Sequence, residues 1–229
     1  MKRIKKYLSF TPFEAGLWFV SALITVISYI ASPEEGLLSF IASFIGVTAI
    51  IFVAKGRVLG QVLSCIFALL YSYISLKYRY YGELITYMGM SFPMALLSVI
   101  SWIKNPYKET REVEIASVSK KTLLWLSVLT GAVTALFYFV LKALGTENLV
   151  VSTVSVATSF AASALAFLRS PYYALIYSLN DLVLIALWTL AAISEPSYRL
   201  MVICFATFLA NDMYAFFNWK RMRKRQRES

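Results

Sequence analysis

Hydrophobic positions along this chain come in long unbroken blocks separated by short polar connections. Eight blocks stand out: Pro12–Ala31, Leu37–Ala54, Val58–Leu76, Glu83–Trp102, Thr122–Leu144, Leu149–Leu168, Pro171–Ile193 and Tyr198–Trp219. A helix of about 20 apolar residues matches the thickness of a bilayer core. Barrel strands would instead alternate apolar and polar residues over about ten positions, so the pattern predicts an all-α integral membrane protein with eight transmembrane helices. The connections Pro33-Glu34-Glu35-Gly36, Lys55-Gly56-Arg57 and Arg169-Ser170-Pro171 leave no room for soluble domains. Only Lys104 to Lys121 is longer, a charged surface loop. The first ten residues could open a signal peptide, but the block after them is long enough to span and seven more follow, so the first helix is expected to be retained.

Composition agrees. Hydrophobic residues make up 59% and charged residues 15% of the 229 positions, and the mean hydropathy is +0.69. That much apolar surface could not be hidden inside a soluble domain of this size. With the N-terminus inside, 18 of the 22 lysines and arginines fall in inside segments. Outside fall Lys77, Arg79, Lys142 and Arg199. The bias places both termini in the cytoplasm and the protein in the inner or plasma membrane. It also accounts for the net charge of +10. The basic tail, Lys220 to Arg227, reads as a stop-transfer signal that meets anionic lipid, not as a nucleic-acid site.

Candidate chemistry is sparse. The chain has no histidine, and Cys65 and Cys204 both fall inside predicted spans, as small packing residues and not a disulfide. No nucleophilic triad, metal cluster or phosphate loop is visible, which argues against an enzyme and against a cofactor. Of 12 acidic residues, Asp181 and Asp212 lie deep inside apolar blocks, each directly after an asparagine, Asn180 and Asn211. A carboxylate at membrane depth is costly without a partner and marks a functional site. Tyr173, Tyr177, Asp181, Leu184 and Trp188 form one helical stripe. Two tyrosines, a tryptophan and a carboxylate suit a flat cationic ligand; an interfacial aromatic belt explains the tyrosines and partly Trp188, but not Asp181. A second stripe, Gln61, Ser64, Cys65, Ala68, Tyr71, Ser72 and Ser75, must face protein or a watery path. Gln61 and Tyr71 are its candidate ligand contacts. Ser155, Ser159 and Ser163 read as a packing seam. Pro93 predicts a kink with a loosened backbone turn. Asn211 shares a face with Thr207 and Asn218, about 100° from Asp212, so the two need not serve one site; Asp212 could instead accept hydrogen bonds from tyrosines or asparagines nearby.

The blocks repeat faintly. Blocks two and six end in tight basic turns, and blocks four and eight in Trp102-Ile103-Lys104 and Trp219-Lys220-Arg221, at offsets of 114 to 117 residues. Both copies run the same way, so a linker helix must separate them. The expected organisation is an extra N-terminal helix (1–34), a first three-helix bundle with its loop (35–121), a linker helix (122–146), a second three-helix bundle (147–219) and a basic tail (220–229). Parallel repeats of this kind belong to transporters that hold substrate between the halves.

Phe52-Val53-Ala54-Lys55-Gly56-Arg57, Tyr71-Ser72-Tyr73-Ile74-Ser75, Tyr81-Gly82-Glu83 with Phe92-Pro93-Met94, Trp102-Ile103-Lys104-Asn105, Asn180 through Trp188, and Met201 through Asn211-Asp212 to Trp219 carry a resemblance. Together they resemble the PnuC-type nicotinamide riboside transporters, relatives of the SWEET sugar transporters. The resemblance implies a 3+1+3 SWEET-like core after an extra helix. It implies facilitated diffusion of a vitamin-like nucleoside, trapped by cytoplasmic phosphorylation, with Asn180 and Trp188 in the ligand motif. Members of that family can assemble as homotrimers. At 181 this chain carries an acid where many relatives have an uncharged residue. Thiamine or another nucleoside-like vitamin, with proton coupling through Asp181 or Asp212, is the alternative cargo. A non-transporting scaffold or sensor is the alternative of another class.

Overall fold

The computed structural model describes residues 10–31, 36–77, 81–108, 110–146, 148–194 and 199–228. The basic residues of the first nine positions and the Pro33-Glu34-Glu35 turn lie outside the described residues. All the named elements are helical: α1 (Pro12–Ala31), α2 (Gly36–Ala54), α3 (Val58–Lys77), α4 (Tyr81–Thr86), a π-helical turn (Tyr87–Ser91), α5 (Phe92–Lys104), α6 (Lys120–Ala143), α7 (Leu149–Phe167), α8 (Tyr172–Ser194) and α9 (Arg199–Glu228). With α4, the π turn and α5 counted as one span, eight segments are long and apolar enough to cross a membrane. The expected helix count therefore holds among the described residues. Most helix ends move by one or two residues, and two differences are larger. The last helix does not stop at Trp219 but runs on through the basic tail to Glu228. The Pro93 break takes the form of a π turn, in which Phe92 N–H reaches back to Tyr87 O. Proline lacks the N–H and crowds the preceding turn, and a wider turn relieves both.

Helix packing separates two groups. Helix α3 packs against both α2 and α5, and α8 packs against both α7 and α9. The groups meet through α2 on α9 and α5 on α7; α6 leans on α7, and α1 leans on α2 and α9. Helix α6 turns Leu124, Trp125, Leu136 and Phe139 outward, which is tolerable where the surroundings are lipid.

The ends of α2 and α7 show the repeat at atomic level. Gly56 N–H donates to Val53 O and Arg57 N–H to Phe52 O; Arg169 N–H donates to Ala166 O and Ser170 N–H to Leu165 O. Each is a Schellman turn closed by a left-handed residue, Gly56 at φ +62° and Arg169 at φ +56°. The offset at these turns is 113 residues, one less than the sequence comparison expects, because Ala54 pairs with Phe167 and not with Leu168.

The two turns are then held crosswise. Trp102 Nε1 donates to Ala166 O at 2.9 Å and Ser101 Oγ to Phe167 O at 2.8 Å. Reciprocally, Trp219 Nε1 donates to Val53 O at 3.0 Å and Asn218 Nδ2 to Ala54 O at 2.9 Å. Carbonyls at a helix C-terminus lack partners within their own helix, and here each group supplies donors for the other. The two indoles meet with ring centroids 5.3 Å apart. This end of the bundle, rich in lysine and arginine, is the basic end. The loop after α5 seals it: Val113 N–H donates to Gly56 O and Ala116 N–H to Arg169 O. Gln226 of α9 brackets the same loop through Ile115 N–H and Val113 O.

Gly60 marks the tightest approach of α3 to α2. A Cβ there would stand 2.3 Å from Val53 N, whereas at Gly131 it would meet nothing within 4 Å. Backbone cannot yield as a side chain does, so Gly60→Ala is expected to cost about 3 kcal/mol or more, and Gly131→Ala almost nothing. Thermal unfolding of the two variants in detergent checks the contrast.

Candidate functional site

Asp181 and Asp212 sit on the packed pair α8 and α9, in the membrane interior. They are 3% and 8% exposed, and their carboxyls lie close enough to interact electrostatically. Asp181 Oδ2 is buried with no donor to satisfy it, as is the Tyr173 hydroxyl two turns nearer the basic end. All lysines and arginines among the described residues lie near helix ends, in loops or in the tail of α9, and none of the ion pairs seen among them involves either acid.

The neighbouring groups come from α8 and α7. Tyr177, one turn from Asp181, exchanges a 2.7 Å hydrogen bond with Ser163. Asn180 is 5% exposed, and its Oδ1 receives Ser155 Oγ at 3.2 Å, Thr158 Oγ1 at 2.7 Å and Ser159 Oγ at 3.1 Å. The serine stripe of α7, expected to be a packing seam, is therefore tied to the polar residues of α8. Trp188 lies two turns further toward the other end, stacked on Phe205 of α9 at 6.5 Å and 14°.

The first group contributes different chemistry. Gln61 on α3 is buried, with no hydrogen-bond partner among the described residues. Tyr71 joins an aromatic cluster with Phe67 and with Tyr87 of the π turn, 4.4 Å from Tyr71 between centroids. At the 113-residue offset the counterpart of Asp181 is the buried Ala68. The matching turns share their backbone hydrogen bonds, but these two positions differ in polarity.

The structure thus brings Tyr177, Asn180, Asp181 and Asp212 together, with Trp188 above them and Gln61 and Tyr71 on the other group. Asn211 turns elsewhere: its Nδ2 donates to Ser21 Oγ of α1 at 2.9 Å and to Thr207 O at 2.8 Å. Asp212 faces Asp181, where a tyrosine or asparagine donor was one expectation. Cys65 and Cys204 form no disulfide. Two surface concavities, of about 480 and 520 Å³, lie away from the acids. The first is at the basic end beside Trp102 and Glu112, the second between α1 and α2 beside Trp18 and Phe52. The acidic pair is enclosed.

One buried acid escaped the sequence reading. Glu14, 3% exposed, closes a capping box with Thr11, pairs with Lys55 at the end of α2 and accepts Tyr214 Oη of α9 at 2.8 Å. It stands at the edge of its span, where an acid raises no alarm; the Thr11-Pro12-Phe13-Glu14 pattern was its signal.

Residues 36–221 match the model of the family described as nicotinamide mononucleotide transporter. The chain belongs to that family. Among its relatives, the nicotinamide riboside transporter PnuC of Neisseria mucosa is 27% identical over 223 residues, covering 94% of this chain and 83% of the relative. The nicotinamide riboside transporter PnuC of Haemophilus influenzae is 25% identical over 217 residues, covering 93% and 92%. The crystal structure of the vitamin B3 transporter PnuC superimposes with a TM-score of 0.80 over 95% of this chain and 94% of that one, at 23% identity. That likeness shows the fold. Family membership and the eight apolar helices make the chain a multi-pass membrane protein.

Removing Glu14 would leave Lys55 charged, confined and unpaired. Glu14→Ala is expected to cost about 3 kcal/mol, and Glu14→Ala with Lys55→Met less than the single change. Thermal midpoints of the two variants test the order.

Proposed function

We propose that this protein carries nicotinamide riboside across the cell membrane, between the α2–α5 group and the α7–α9 group. The observation that carries the reading is the buried pair of acids, which no cation among the described residues pairs with. A pyridinium ring supplies the missing positive charge, and Tyr177 and Trp188 offer aromatic faces to it. The same pair argues for the riboside over the mononucleotide, since a phosphate group would bring negative charge toward two carboxyls. Asn180, Asp181, Asp212, Tyr177 and Trp188 form the second group's contribution, and Gln61 and Tyr71 the first group's. Asn211 anchors α1.

The mechanism is facilitated diffusion by rocking of two three-helix bundles of a 3+1+3 SWEET-like core, with α6 as linker and α1 as the extra helix. The basic end faces the cytoplasm, by the lysine and arginine bias. A monovalent cation entering a negative interior gains about 2.3 kcal/mol per 100 mV, so uptake needs no coupled ion. Phosphorylation inside the cell traps the cargo. The assembly is a homotrimer in the bilayer.

The closeness of the two carboxyls supports a second reading, in which a proton takes the place of the cargo and couples to its movement. Uptake into liposomes at clamped potential separates the two: a dependence on the pH gradient favours coupling, and indifference favours diffusion. For the site itself, Asp181→Asn is expected to weaken nicotinamide riboside binding about 30-fold, the scale of one charge-assisted interaction. Calorimetric titration of the purified protein measures it, and wild-type affinity in the variant removes Asp181 from the site.

A further inference from the structure

Asn180 is held in an unusual way. Three hydroxyls of α7 converge on its single side-chain oxygen, at 2.7 to 3.2 Å. No hydrogen bond of the amide nitrogen is seen among the described residues, and the residue as a whole is 5% exposed. A buried amide normally finds partners for both its oxygen and its nitrogen.

The orientation of the amide follows from the hydroxyls. Thr158 Oγ1 also lies within reach of Val154 O and Ser155 O, so its proton has other acceptors. Ser155 Oγ and Ser159 Oγ are recorded with Asn180 Oδ1 as their acceptor. Reversing the amide would strip both serine protons of that acceptor. The oxygen therefore belongs on α7, and the nitrogen points away from it.

We infer that Ser155, Thr158 and Ser159 are positioning residues, which hold Asn180 so that its Nδ2 donates to an acceptor oxygen on the cargo. The inference rests on the transport reading above and adds a requirement to it. A cationic ring alone does not satisfy the site; the ligand must also present a carbonyl or hydroxyl oxygen to Asn180. The hydroxyls do not touch the cargo, and they act only through the amide.

That indirect action gives a test. Binding of nicotinamide riboside, and of thiamine as a second cationic probe, is measured by calorimetry on the purified full chain in four forms. These are wild type, the triple variant Ser155→Ala/Thr158→Val/Ser159→Ala, Asn180→Leu, and the two combined. The expected result is a loss of about tenfold in the triple variant, a comparable loss in Asn180→Leu, and no further loss on combining them. Losses that multiply in the combined form overturn the inference, as does wild-type affinity in Asn180→Leu. If the triple variant does not fold, the same cycle runs with Thr158→Val alone, and Thr158→Ser, which keeps the hydroxyl, retains wild-type affinity. The wild-type protein tests the underlying reading separately: binding of thiamine but not nicotinamide riboside changes the cargo and leaves the cycle to decide the positioning role, and binding of neither overturns both.

Discussion

Water does not reach the middle of a hydrocarbon slab, so a polar group placed there has to be answered by protein or by cargo. That constraint organises the whole molecule. At the basic end, the exposed carbonyls of α2 and α7 are answered by donors from the opposite group, Trp219 and Asn218 on one side, Trp102 and Ser101 on the other. Near the middle, the hydroxyls of α7 answer Asn180 and Tyr177. The answering is incomplete at a few buried atoms among the described residues, Asp181 Oδ2, the Tyr173 hydroxyl and Asn211 Oδ1 among them.

The two groups divide this work unequally. Their turns and closing tryptophans follow one plan, yet Asp181 in one group corresponds to Ala68 in the other. A symmetric pair of acids would double an uncompensated charge in hydrocarbon. Polarity is concentrated in α8 and α9, and aromatic surface in Phe67, Tyr71 and Tyr87; on the proposed reading, a flat cation would bind the one by charge and stack on the other.

Much of this was legible in the residues. Block lengths gave the eight spans, because apolar length in a bilayer is a strict requirement. Asp181 and Asp212 were conspicuous because charge is rare at that depth, and the tryptophan pair was visible as a weak repeat. What could not be read depended on three-dimensional pairing. That Asp181 and Asp212 face each other follows from the rotation of α8 against α9, which no spacing within one helix encodes. The α7 serines looked like packing because a hydroxyl in a seam and a hydroxyl holding an amide have the same sequence signature. Glu14 hid at a span edge, where its cap pattern looked ordinary. Helix α9 was cut short at Trp219 since hydropathy ends there, while helix propensity and the loop contacts of Gln226 carry it onward.

That continuation matters mechanically. With 30 residues in one unbroken helix, α9 is a rod about 45 Å long. It carries Asp212 in its middle, Trp219 at the crosswise bonds, and Gln226 and Arg225 on the loop beyond them. Swinging it by five degrees would displace the far tip by roughly 4 Å, from its length alone. Under the rocking proposed above, occupancy deep in the bilayer would be geared to a lever arm that protrudes from it.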